Sequence, residues 1–339
     1  MNNSQKDGRP LIVSGMFRSG TSLIWRILTN DPEYSNFYYE PLHEDLIKYC
    51  KKNKEKIWNI YRNDKELLKK WSENFNIKGL YLSIKDDYPE LNEYFKIFIK
   101  NKALIKFTRM NMRLGWLINN YPSVFVINIV RDPRSVCYSI IDRGWLNFQA
   151  EGILKTLRKD IDNAIKNKDY SSIPYKLLKR NFHGMLGKFD TPSAYWYKEY
   201  FNRLRNVDSW KEYISNLPDK KPQIKILALW KMNVEQSMKD LESFKKNSIT
   251  IKHEDFCLNY EKTLTNIYKN MNRELPKKLL SSINDKSSQE SFKIKHHKFH
   301  MNITDKWIER WREFDDDFWI DALEKTKCIS LMKKLNYEI

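Results

Sequence analysis

A chain of 339 residues with 41% hydrophobic and 14% aromatic content can bury a large core, as one domain or one domain carrying an insertion. Its net charge of +18 suits an anionic partner, but most lysines fall in Lys-, Asn- and Ile-rich stretches that read as solvated helix faces. No arginine-rich tail, zinc-finger spacing or aromatic ribonucleoprotein motif accompanies the charge, and no apolar run has the length of a bilayer span, so neither nucleic acid nor a membrane span is expected.

Leu11 to Leu28, LIVSGMFRSGTSLIWRIL, reads as strand, glycine loop and helix. EYSNFYYEPLHEDL then brings a strand-like aromatic piece to Glu40, where Pro41 disfavours helix and suits the start of one. His43 to Asn76 reads as lysine-rich helix and surface, Leu91 to Ile99 as a short helix, and Ala103 to Phe107 as a short buried strand. TRMNMRLGWLINN predicts a helix ending near Asn120, and Val124 to Val130 a second buried strand running into Arg131-Asp132-Pro133 and a helix through Ile141. Residues 142–223 read as a helical insertion rich in Lys, Tyr and Trp, expected to shape an acceptor pocket within a single domain spanning 1–339. A helix marked by Leu227, Trp230, Val234, Met238 and Leu241 follows, with a last strand at Ser248 to Lys252 and a helix at Tyr260 to Met271. Two closing helices are expected at Asp305 to Phe314 and Asp317 to Lys334.

Strands alternating with helices predict an α/β fold: a P-loop-type, three-layer arrangement with a central parallel sheet, ligands lying at the carboxyl ends of the strands. The first polar N-terminal residues lack a signal-peptide core, so a cytoplasmic protein is expected. Cys50, Cys137, Cys257 and Cys328 lie far apart without metal-ligand spacing and read as reduced and structural.

Gly15-x4-Gly20-Thr21-Ser22 has the spacing of a nucleotide-binding P-loop, with Thr21 where the lysine belongs. Nucleotide hydrolases need that lysine, a Mg²⁺ ion and an acidic residue at a second strand end. Here the second strand ends in Arg131. What is left is a loop for one less highly charged phosphate, held by backbone N–H groups, Arg18 and the hydroxyls of Ser19, Thr21 and Ser22 around Gly20. Arg131, with Ser139 two helical turns further on, offers charge-assisted bonds to a second phosphate. One loop, a second anion site and no expected metal describe 3′-phosphoadenosine 5′-phosphosulfate better than a triphosphate.

On these segments the chain resembles the sulfotransferase family. FRSGTS is similar to its 5′-phosphosulfate loop and IVRDPRSVCYSI to its 3′-phosphate segment, with Arg131 and Ser139 on the matching positions. FYYEPLH resembles the YEP segment of the carbohydrate 6-O-sulfotransferase branch, LIKFTR its Lys-x-x-Arg strand end, IKHEDF the family's tyrosine-glutamate-aspartate turn, and ERWREF its late Trp-Arg helix. His253 stands where that turn usually carries tyrosine, and Arg18 where the cytosolic aryl and steroid enzymes carry a lysine.

The resemblance implies transfer of a sulfuryl group to an acceptor hydroxyl on a small molecule or glycan. Arg18 and the loop amides would serve the leaving 5′-phosphate. Glu40 is the first candidate for general base and His43 the rival, against the plainer reading of Glu40 as a structural carboxylate paired with Lys or Arg. Lys106 and Arg109 would orient the transferred sulfonate or an acidic acceptor, or be a salt-bridged strand end. His296, His297 and His300, with no completing carboxylate pattern, read as part of a basic loop that would bring Lys298 or Lys306 near the 3′-phosphate. Trp145 and Trp196 suit sugar stacking. A P-loop phosphotransferase and a non-catalytic polyanion-binding protein are the alternatives.

Overall fold

The computed structural model describes residues 8–43, 46, 47, 50, 59–74, 87–142, 208–218, 222–284, 308–314 and 316–339. The described chain runs β1 (Leu11–Gly15), α1 (Thr21–Leu28), β2 (Asn36–Tyr39), α2 (Asn59–Asn63), α3 (Lys65–Asn74), α4 (Pro89–Phe98), β3 (Ala103–Phe107), α5 (Leu114–Asn120), β4 (Phe125–Val130) and α6 (Pro133–Asp142). It continues with α7 (Asp208–Ser215), α8 (Pro222–Glu242), β5 (Ser248–Lys252), α9 (His253–Leu258), α10 (Tyr260–Asn270), α11 (Lys277–Asn284), a 3₁₀ turn (Arg310–Glu313), α12 (Asp316–Lys325) and α13 (Ile329–Lys334). Two compact units result: Met1–Arg131 with Met232–Lys306, and Asp132–Lys231 with Trp307–Ile339.

The first unit is built on a parallel five-stranded sheet in the order β2-β3-β1-β4-β5. Its central strands are apolar on both sides, as burial on both faces requires. Alternation along β1 sends Ile12 to one core, with Phe95, Trp116 and Phe107, and Leu11 and Val13 to the other, with Trp25, Leu264 and Tyr268. Helices therefore flank the sheet on both faces in an α/β fold of the expected P-loop type. The sheet order puts β1 between β3 and β4, so the loop after β1 opens beside the ends of both neighbours.

The expected helix over TRMNMRLGWLINN is shorter than its pattern suggests, since α5 starts only at Leu114. Thr108 to Arg113 instead makes turns, with Arg113 N–H bonded to Met110 O at 2.8 Å and the Arg113 guanidinium to Arg109 O at 2.9 Å. The Thr108 hydroxyl, which could have capped a helix start, is bonded to Glu40 instead.

In the second unit, the closing helix expected over Asp317 to Lys334 is broken in two. Thr326 bonds back to Ala322 O at 2.8 Å, Lys327 takes a left-handed φ of 52°, and Cys328 N–H closes onto Leu323 O at 2.9 Å. That is a helix C-terminal cap in the middle of an apolar pattern. Of the other predicted closing helix, the described part is the 3₁₀ turn, in which buried Trp311 packs against the Arg134 guanidinium at 3.7 Å. Asp132 holds Arg134 with a 2.7 Å ion pair and accepts its N–H at 2.8 Å, so the RDP turn is the start of α6.

Most of the 142–223 insertion, including Trp145 and Trp196, lies outside the described residues, as do His296, His297, Lys298, His300 and Lys306. All four cysteine thiols are unbridged. Among the described residues, no helix is long and apolar enough to cross a membrane.

Candidate active site

The glycine loop begins where β1 ends. Gly15 lies so close to β4 that a Cβ there would sit 2.5 Å from Ile129 O, so the turn out of the strand admits only glycine. Arg18 follows in the left-handed region at φ 67°, and Ser19 N–H returns to Met16 O at 3.2 Å. Gly20, at φ 88°, precedes α1 with no side-chain acceptor capping the helix and no acidic residue in its first turn. The start of α1 thus keeps backbone donors and the positive end of its dipole at the loop. Ser19 and Thr21 are buried, while Arg18 and Ser22 are half-buried.

Two side chains brace the loop from neighbouring elements of the same unit. Arg131, buried just past β4, donates from Nη1 to Arg18 O at 2.9 Å. His253, the first residue of α9, lies with its ring against Gly20, where a Cβ would collide with Nδ1. The same ring nitrogens approach Cys257 Sγ, at 3.6 Å and 3.8 Å. Burial, followed by Arg131 and Arg18, pushes the His253 imidazole well below its ordinary pKa, so it stays neutral. Gly20→Ala is therefore expected to cost about 1–3 kcal/mol through overpacking, more with the unfavourable φ, and to abolish anion binding. Urea unfolding and calorimetric titration with 3′,5′-adenosine bisphosphate measure the two effects.

On the other side of β1, the strand ends of β2 and β3 meet at Glu40. The ladder continues one step past β2, with Glu40 N–H bonded to Lys106 O at 2.9 Å, and Glu40 then turns at φ 50°. Its carboxylate receives Lys106 Nζ at 2.5 Å, Thr108 Oγ1 at 2.6 Å, Thr108 N–H at 3.2 Å and Arg109 Nη1 at 3.3 Å. All three of Glu40, Lys106 and Arg109 are buried. Burial works to raise the Glu40 pKa, but the Lys106 and Arg109 charges and the bonds from Lys106 and Thr108 outweigh it and hold the group at about 2. Tyr94 Oη donates to the next carbonyl, Pro41 O, at 2.5 Å, fixing the turn that ends with His43 N–H on Glu40 O at 2.9 Å.

His43 is half-buried, and burial with the nearby Arg109 charge lowers its pKa to about 3 against an opposing pull from Glu40. Both candidate bases are thus unprotonated at neutral pH. Both pKa values are depressed relative to the unfolded chain, so each contributes stability that is present above its unfolded value and lost as pH falls. The His43 contribution should fade from about pH 6.5 towards 3, and that of Glu40 from about 4.5 towards 2. His43→Gln is expected to flatten the upper part of that acid limb in urea unfolding followed against pH.

Sequence reasoning named Arg18, Ser19, Gly20, Thr21, Ser22, Glu40, His43, Lys106, Arg109 and Arg131, and all lie in the first unit. Ser139 lies on α6 in the second unit and is half-buried. Three contributors went unnamed. Thr108 is the hydroxyl donor to Glu40, and its place between Lys106 and Arg109 was the available clue. Phe17, in the loop, faces the Arg109 guanidinium at 5.4 Å. Tyr39 touches Ser22, its Oη 2.8 Å from the Ser22 Oγ, and lies beneath the Lys106 ammonium, 4.4 Å from its ring centroid.

Residues 10–173, just under half of the chain, match the sequence profile of the Sulfotransferase family. The matched span contains the glycine loop, Glu40, the turn from Lys106 to Arg109, and Arg131, and the match supports a sulfotransferase enzyme. No curated protein sequence matches the chain. Among 14 matching chains of solved structures, the sulfotransferase domain from the curacin biosynthetic pathway is 13% identical over 98% of this chain and 99% of its own, at a TM-score of 0.49. The sulfotransferase STF9 from Mycobacterium avium is 12% identical over 98% of this chain and 78% of its own, at a TM-score of 0.46. A retinol dehydratase in a complex with retinol and PAP is 14% identical over 98% and 83%, at a TM-score of 0.41.

Proposed function

We propose that the protein transfers a sulfuryl group from 3′-phosphoadenosine 5′-phosphosulfate to an acceptor hydroxyl, on a carbohydrate or glycoconjugate. The observation that carries this is the pairing of two sites in one unit: a glycine loop with Arg18 and Arg131, and beside it a buried carboxylate among Lys106, Thr108 and Arg109. The donor set suits a phosphate: a left-handed glycine, an uncapped helix start, flanking hydroxyls and two arginines. The carbohydrate acceptor rests on the resemblance of FYYEPLH and LIKFTR to the 6-O branch.

The phosphosulfate, when bound, supplies an activated sulfuryl group that leaves a phosphate behind. Arg18 and the N–H groups at the start of α1 hold that leaving phosphate, where negative charge grows and preorganised donors act most strongly. Arg131 takes the 3′-phosphate. Glu40, ionised at working pH, accepts the acceptor's proton. In a loose transition state little charge forms on the attacking oxygen until late, so a carboxylate of low pKa suffices. Lys106 and Arg109 offer their positive charge to the transferring sulfonate, and any shift of Lys106 towards it makes Glu40 more basic at that moment. His43 is the second candidate for the proton, favoured by its neutral imidazole next to the Glu40 turn.

Transfer of radiolabelled sulfate from the donor to a panel of acceptors, sugars first, tests the activity. Turnover is expected to persist in EDTA. A strict Mg²⁺ requirement with phosphate transfer from ATP would overturn the proposal in favour of a phosphotransferase.

A further inference from the structure

Tyr39 is the last residue of β2, immediately before Glu40. Its Oη lies 2.8 Å from Ser22 Oγ in the first turn of α1. The Lys106 ammonium sits 4.4 Å from its ring centroid. Trp25, also on α1, packs edge-on against the ring at 5.3 Å, and Tyr61 Oη donates to the Tyr39 carbonyl at 2.9 Å. A stiff aromatic side chain with only two torsions is thereby held from both sides, touching the loop helix with its hydroxyl and the Glu40 cluster with its face.

We propose that Tyr39 is a positioning residue that ties the anion loop to the Glu40 cluster, its hydroxyl orienting the Ser22 hydroxyl and its ring seating the Lys106 ammonium. This rests on the sulfotransferase reading above. A phenol that donates to Ser22 Oγ leaves the serine proton to turn towards an anion in the loop, because a hydroxyl has one donor and two acceptor positions. The electron-rich ring face attracts the ammonium and limits its swing, keeping Lys106 beside Glu40. The two contacts use different parts of one side chain, so they can be separated: phenylalanine keeps the face and loses the hydroxyl, whereas leucine loses both.

The test uses calorimetric titration of the full chain with 3′,5′-adenosine bisphosphate, together with carbon-13 NMR of protein labelled at lysine Cε. Tyr39→Phe is expected to weaken bisphosphate binding about three- to tenfold, the range of one hydrogen bond, without moving the Lys106 signal, which is assigned through Lys106→Arg. Ser22→Ala should weaken binding by a similar factor, and the double variant by no more than either alone. Tyr39→Leu should in addition remove the ring-current shift of the Lys106 signal. Additive effects of Ser22→Ala and Tyr39→Phe would overturn the proposal, as would wild-type affinity in Tyr39→Phe or an unmoved Lys106 signal in Tyr39→Leu. Equal losses in both Tyr39 variants that follow their thermal melting temperatures would reduce Tyr39 to a packing residue. If the wild-type chain binds no bisphosphate, the sulfotransferase reading itself falls, and this proposal with it.

Discussion

Glu40→Gln is expected to lower sulfate transfer by at least about a hundredfold, the contribution of a positioned general base, while bisphosphate affinity stays within about threefold of wild type. Glutamine keeps the shape of the side chain and can still accept from Thr108, but it cannot take the acceptor's proton. Alanine is the wrong probe. Either substitution leaves the buried charges of Lys106 and Arg109 uncompensated, typically at a cost of about 3–5 kcal/mol, but alanine also opens a void and strands both Thr108 donors. Glu40→Ala should therefore unfold in markedly less urea, and its inactivity would say little about chemistry. Near wild-type turnover in Glu40→Gln would move the proton to His43, and His43→Gln would then carry the defect. If the ion pairs serve structure alone, Glu40→Gln and His43→Gln both keep turnover, and only stability falls in the former.

Arg131→Ala is expected to weaken 3′,5′-adenosine bisphosphate about ten- to a hundredfold, the loss of a hydrogen bond to a charged group. Arg131 has a second task, since its Nη1 supports the Arg18 carbonyl at 2.9 Å. A comparison with adenosine 5′-monophosphate separates the two. If Arg131 holds the 3′-phosphate, the monophosphate loses little affinity in the variant. If it only braces the loop, both nucleotides weaken alike, and the 3′-phosphate assignment is removed. Arg131→Lys should retain part of the charge effect but not the brace, because lysine lacks the planar fork that spans both positions.

Much of the first unit was legible because its signals are local. Gly15 and Gly20 announced the loop, Leu11 to Val13 and Val124 to Val130 announced strands by largely apolar runs, and Pro41 ended β2 in advance. The turn at Thr108 to Arg113 was not legible. Leu114, Trp116 and Leu117 carry an apolar pattern that extends backwards through Met110 and Met112, whereas the turn found there carries Thr108 onto Glu40, 68 positions away in sequence. The break at Lys327 is local by contrast: a left-handed residue lets Cys328 N–H cap Leu323 O, five residues back, a contact that apolar periodicity does not encode.

By itself the sequence determined the residue types that an anion-binding loop needs and the spacing that puts them between a strand and a helix, because glycine freedom, helix donors and apolar runs all act over a few positions. Only the tertiary structure decided how those residues are used. Parallel pairing of β2 with β3 brings Lys106 and Arg109 onto Glu40, which makes a candidate base into a buried, strongly ionised carboxylate. Packing of α1 beside β2 joins Ser22 to Tyr39, and the start of α9 sets His253 against Gly20. Such contacts couple residues from 17 to more than 200 positions apart. Charge and burial act through space over a few ångströms, so the pKa values and the positioning partners were settled by which strand ends became neighbours.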